Sequence, residues 1–166
     1  MHKILTATLA TGVMAAGIAQ AATTTTTFAV TETVQSTCSA TAATLAFPNY
    51  TPGGGAQTGN TSISVKCSKN TAFTVALNAG STTGDAFAQR LMGSGVNTLQ
   101  YNLYTTAALA TIFGDGTGGT GTIAGTGLGV ATANTVQVFG QVPDSATNQA
   151  AVPGSYSDTI TVTVSY

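Results

Sequence analysis

Ile160-Thr161-Val162-Thr163-Val164-Ser165-Tyr166 alternates apolar and polar residues without interruption. A period of two is that of a β-strand with one face covered, because successive side chains point to opposite sides of a sheet. The run therefore predicts a half-buried strand with Ile160, Val162, Val164 and Tyr166 on the inward face. No turn signal and no partner strand follow it. Near the other end, the threonine-rich segment 22–33 sets Thr24, Thr26, Phe28 and Val30 on one parity of an extended chain. Glu32 continues that parity, and an unpaired carboxylate is expensive to bury. The spacing thus predicts a break at Glu32, with one strand-like segment before it and the first strand of a domain, residues 34–166, after it.

Between these ends the pattern is that of short strands. Leu45 and Phe47 are stopped by Pro48; Ile63, Val65 and Cys67 alternate, as do Phe73, Val75 and Leu77. Leu99, Tyr101 and Leu103 follow, then Val136, Val138 and Val142. About seven short strands separated by Gly, Pro, Asn and Ser predict an all-β sandwich. Residues 85–90 are expected to hold at most one helical turn.

Residues 1–21 read as an export signal. His2 and Lys3 precede an apolar, alanine-rich run, and Ala19-Gln20-Ala21 fits the small-residue cleavage pattern. The run is too short to be read as a membrane span. Residues 22–166 contain no histidine, and their charged side chains are Lys66, Lys69 and Arg90 against Glu32, Asp85, Asp115, Asp144 and Asp158. Only 5% of the whole sequence is charged, against about 25% in ordinary soluble domains. No basic cluster exists for nucleic acid or for an anionic membrane surface. Cys38 and Cys67 are the only cysteines. In an exported chain an even count predicts a disulfide, since a metal or redox site needs further ligands or a C-x-x-C spacing.

Motifs with a chemical reading give way to plainer ones. Gly114-x-Gly116-x-x-Gly119 matches the dinucleotide fingerprint, but that fingerprint needs a helix after it, and here more glycine and threonine follow. A hairpin loop is expected instead. Asp115 in the same stretch is too few carboxylates for calcium. Nucleophilic catalysis lacks its histidine base, and the scattered acids do not suggest a glycosidase pair. Asp85 and Arg90 are expected to form a solvated loop pair. Tyr101, Tyr104, Tyr156 and Phe139 are read as core packing rather than a sugar-binding surface. No catalytic residue, metal site or cofactor is expected.

Several stretches resemble the spore coat protein U domain, a family that includes major pilins of the archaic chaperone–usher pathway. They are Cys38; Leu45-Ala46-Phe47 with Tyr50; Ile63-x-Val65-x-Cys67; Arg90-Leu91-Met92; Leu99-Gln100-Tyr101-Asn102-Leu103-Tyr104; Phe139-Gly140-Gln141-Val142-Pro143; and Gly154-Ser155-Tyr156-Ser157-Asp158 leading into the terminal run. Pro48 stands where the family usually has glycine, and Phe113-Gly114 replaces Trp-Gly. The resemblance implies an incomplete immunoglobulin-like β-sandwich completed by a donor strand from a neighbouring subunit. It implies a periplasmic chaperone that lends a strand first, an outer-membrane usher, and a homopolymer outside the cell that serves adhesion and biofilm. On that reading Thr24, Thr26, Phe28 and Val30 are the donor positions, and Ile160, Val162, Val164 and Tyr166 form the last strand of the accepting groove. The contrasting expectation is a secreted monomeric coat or lectin-like protein with a self-complete sandwich.

Overall fold

Ile63, Val65 and Cys67 are buried while Ser62, Ser64 and Lys66 between them are not, and Val136 and Val138 repeat the pattern one strand away. This alternation organises the computed structural model, which describes Gly17 and residues 20–166. The export signal falls almost wholly outside the described residues. The chain divides between Thr33 and Val34, and each part is described by itself.

Residues 20–33 form no helix or strand and are exposed throughout, Phe28 at 87% and Val30 at 85%. From Val34 onward eight strands and one short helix occur: β1 (Cys38–Ala42), β2 (Gln57–Cys67), β3 (Ala72–Leu77), β4 (Arg90–Ser94), β5 (Asn97–Tyr104), β6 (Ile123–Thr126), β7 (Asn134–Val142), α1 (Ala146–Gln149) and β8 (Val162–Ser165). They make a five-stranded sheet in the order β1-β2-β7-β5-β4 and a three-stranded sheet in the order β6-β3-β8, and every pairing is antiparallel. The sheets face each other through Ile63, Val65, Val136 and Val138 on one side and Phe73, Val75 and Leu77 on the other. This is an all-β sandwich, as the alternation predicts.

Cys38 and Cys67 form a disulfide. They are directly opposed in the β1–β2 register, with Cα atoms 4.1 Å apart, close to the ~4.5 Å of a non-hydrogen-bonded antiparallel pair. The disulfide marks one end of the sandwich, shared by Asn134, Ala72 and Thr126. At the far end lie Gln57 paired with Val142, Leu77 paired with Val162, and the β4–β5 hairpin, whose Gly93 bridges Ser157.

Several local expectations change. The first strand begins at Cys38, four residues past Val34. Leu45 and Phe47 lie in irregular chain, and the terminal strand covers only Val162–Ser165. Residues 85–90 hold no helix; Ala86 and Gln89 bridge across a tight turn. Arg90 is no solvated partner of Asp85. It is fully buried and donates to Asn102 Oδ1 and to the carbonyls of Asn78 and Phe113, each at 2.7 Å, while the Asp85 carboxylate accepts from the N–H groups of Thr82 and Leu91. The glycine-rich stretch is not one open loop, for β6 lies inside it. The helix α1 was not foreshadowed by any periodicity. Ser145 caps it, and its buried Asn148 both accepts from the N–H of Gln100 and donates to the carbonyl of Gln100. The amide thereby serves as a partner for β5 where β7 has ended.

Candidate functional site

β8 sits at the edge of the three-stranded sheet and β1 at the edge of the five-stranded one. Among the described residues no backbone hydrogen bond joins them. Between the two edges runs a cleft. Its narrower part, the nearer of the two to the disulfide, is an opening of about 300 Å³ with Ala42, Ala43 and Leu45 on one wall and Ile160 and Val162 on the other. Its floor is the core itself, namely Ile63, Leu77, Leu103 and Val138. Towards the far end it widens to about 740 Å³, and the two parts share Thr44, Leu45, Leu103, Asp158 and Ile160. Phe47, Tyr50, Met92, Tyr101 and Tyr156 line the wider part. Two strand edges flanking apolar side chains are the geometry on which strand addition operates in general. In strand addition main-chain bonds supply the affinity, and alternate side chains fill pockets.

The wall carrying Leu45 and Phe47 is held by glycine. Gly59 of β2 and Gly140 of β7 are directly paired. A methyl group on Gly140 would stand 2.7 Å from Phe47 Cζ, and one on Gly59 would stand 3.3 Å from Phe47 Cδ1. The bare sheet surface at this pair lets the aromatic ring come close against the strands. Farther along, Asp144 fastens residues 50–55. Its Oδ1 accepts from the Tyr50 hydroxyl at 2.5 Å and from Gly53 N–H at 3.1 Å, and its Oδ2 accepts from Gly55 N–H at 3.0 Å. Those bonds, the one from Tyr50 foremost, hold the Asp144 carboxyl below its usual range; the Tyr50 hydroxyl, by burial first and then by this partner, is pushed up to about 12.

Asp158 borders both parts of the cleft. Its Oδ2 accepts from the Tyr101 hydroxyl at 2.5 Å, and its Oδ1 accepts from the N–H and hydroxyl of Ser81 and from the Thr82 hydroxyl. Burial alone would raise its pKa; the bonds from Tyr101 and Ser81 outweigh burial and leave it below the ordinary carboxylate value. Tyr101 is driven the other way, by burial first and then by the Asp158 carboxylate. Burial also lowers the Arg90 guanidinium, against the opposing influence of Tyr101, Asp85 and Asp158. The arrangement is structural. The Asp158 carboxylate is held by Tyr101, Ser81 and Thr82, and the Arg90 guanidinium by Asn102 and two carbonyls, with only its Nε left without a partner.

Of the residues singled out from sequence, Ile160 and Val162 line the cleft, Val164 is half-buried beside Val75, and Tyr166 is exposed at 61%. Thr24, Thr26, Phe28 and Val30 lie in the exposed segment that precedes Val34. Sequence reasoning did not assign Leu45, Phe47 or Leu103 to this site. The Gly59 and Gly140 positions on facing strands were the available signal, since a glycine inside a strand marks a close approach.

A family model described as the Spore Coat Protein U domain matches residues 24–163. No curated protein matches the chain. Among solved structures it is similar to a chain in the crystal structure of the CsuC–CsuE chaperone–tip adhesion subunit pre-assembly complex from archaic chaperone–usher Csu pili of Acinetobacter baumannii. The identity is 23% and the TM-score 0.56, over 81% of this chain and 41% of that one. The chain therefore spans less than half the length of that match, and the likeness is one of fold. The family is structural and non-enzymatic, and nearly the whole of residues 22–166 lies within it. The chain belongs to the Spore Coat Protein U domain family.

Proposed function

We propose that this chain is a structural subunit of an extracellular chaperone–usher pilus, polymerising by donor-strand exchange. In this reading the chain passes through the periplasm, where a chaperone fills the cleft, and an outer-membrane usher then replaces that strand with residues 22–33 of the next copy. The observation that carries the reading is the cleft between β8 and β1, floored by core side chains that a lone sandwich would keep covered. The exposed Phe28 and Val30 are the complementary half. Sinking each into the floor would contribute roughly 1.5–3 kcal/mol, and pairing the strand backbone would add to that. Thr24 and Thr26 would occupy the same face in the narrower part. The fibre would serve surface adhesion and biofilm formation, its low charge allowing dense packing of copies.

The test is to delete residues 22–30 and express the chain with a chaperone of the pathway. The shortened subunit is expected to keep its disulfide, to bind the chaperone and to form no fibres. Fibres of normal length from that subunit, or a mature chain that is a durable monomer without any chaperone, would overturn the proposal. Phe28→Asp should also block assembly, because a carboxylate would enter an apolar floor without a partner.

A further inference from the structure

The charged side chains of the domain are sorted by end. Lys66 is the last residue but one of β2, and Lys69 lies in the turn that leads into β3; both are exposed at the disulfide end. The third cation, Arg90, is fully buried. All four aspartates lie at the other end. Asp144 follows β7, Asp158 follows the Gly93–Ser157 bridge, Asp85 bonds to Leu91 N–H in β4, and Asp115 follows Gly114, whose carbonyl takes the N–H of Leu77. Exposed apolar side chains mark the same two ends. Leu128 is 54% and Val130 59% exposed; Gly127 just before them is bonded to Thr71 and Asn70, and Gly129 between them to Cys67, so the pair is pinned beside the lysines. At the far end Val96 is 98% exposed on the tip of the β4–β5 hairpin, and Val152 is 52% exposed on the rim of the wider opening.

We propose that these ends dock on each other: the face formed by Lys66, Lys69, Leu128 and Val130 of one copy seats on the aspartate-bearing end, with Val96 and Val152, of the next. The occupant is a second copy of this chain. This rests on donor-strand exchange as proposed above, and strand direction then fixes the polarity. A strand added antiparallel to β8, extending an antiparallel sheet, runs from the disulfide end to the aspartate end and leaves the cleft there. The chain beyond it re-enters its own domain at Cys38, by the lysines. Only seven residues separate Val30 from Cys38, and at about 3.3 Å per residue the tether keeps the two oppositely charged ends together. The docked faces would stiffen a fibre that the tether alone leaves free to bend.

The experiment is zero-length carbodiimide coupling of lysine to carboxylate in assembled fibres, read by mass spectrometry of the joined peptides. In one copy these groups lie at opposite ends of strands up to about 30 Å long, so a Lys66 or Lys69 bond to any of the four aspartates reports two copies. Such bonds are expected in fibres of the natural sequence. They are expected to be lost in L128D/V130D fibres, which should still show the heat-sensitive ladder of strand-exchanged multimers but bend more sharply in micrographs. Both positions are exposed, so the fold and disulfide should persist. A ladder without lysine–aspartate bonds, or L128D/V130D fibres that keep the bonds and the stiffness, overturns the docking proposal alone. No ladder from the natural sequence overturns strand exchange and this proposal with it.

Discussion

Gly140 supports the cleft wall by having no side chain. Its Cβ position lies 2.7 Å from Phe47 Cζ and 3.1 Å from Leu45 Cδ1, so Gly140→Ala must displace the wall. Overpacking of this kind costs about 1–3 kcal/mol, and the variant should show a lower denaturant midpoint together with weaker binding of a donor peptide. A drop in stability with unchanged peptide affinity would argue that Phe47 has no part in the site. Asp158 gives a pH prediction. Its folded pKa is depressed, so its stabilising contribution is full above the unfolded value of about 3.9 and is lost as pH falls through the folded value, where the unfolded chain binds more protons. Thermal midpoints of the natural sequence should therefore fall more steeply below about pH 4 than those of Asp158→Asn. Parallel curves would show that the carboxylate contributes nothing in its charged form. Arg90 was misread at this scale because its partners, Asn102 and two carbonyls, come from three separate segments, and nearness in sequence to Asp85 said nothing of them.

β1 is five residues long, is exposed at all but one of them, and pairs with β2 alone. Such an edge has little packing of its own, and the Cys38–Cys67 disulfide is what ties it down. With the cysteines 29 positions apart in sequence, the chain-entropy model gives the crosslink about 3–4 kcal/mol. Replacing both cysteines by serine should lower stability by an amount of that order and weaken donor binding beyond the stability loss, since one wall of the cleft would peel away. Denaturant titration and peptide binding on the same variant separate the two effects. Strands buried on one face were legible by alternation: β2, β3, β5 and β7 all appear where Val65, Val75, Leu103 and Val138 place them. Segments that hold no ladder were not. Residues 43–50 and α1 take their shape from what they pack on, a glycine pair and the end of β5, and neither leaves a period in the sequence.

At the scale of the molecule, the strand proposed to fill the cleft is covalently present at the other end of the sequence. If the cleft lacks only a strand, appending a second copy of residues 22–33 after Tyr166 through a flexible linker should let the chain fill its own cleft. β8 ends where an antiparallel strand in the cleft would begin, so the linker need only turn the chain, and a glycine–serine tether of about a dozen residues, spanning roughly 20 Å, is ample. The closed chain should be monomeric, should no longer need a chaperone, and should exceed the unmodified domain in thermal midpoint by far more than any single substitution above. An intramolecular strand replaces two unpaired edges and covers Ile63, Leu77, Leu103 and Val138 at once. Phe28→Asp in the appended copy alone should remove most of the gain, which separates filling of the cleft from any general effect of the extension. An appended chain that unfolds where the unmodified one does, and still forms ladders, would mean that the cleft between β1 and β8 is not where the strand belongs.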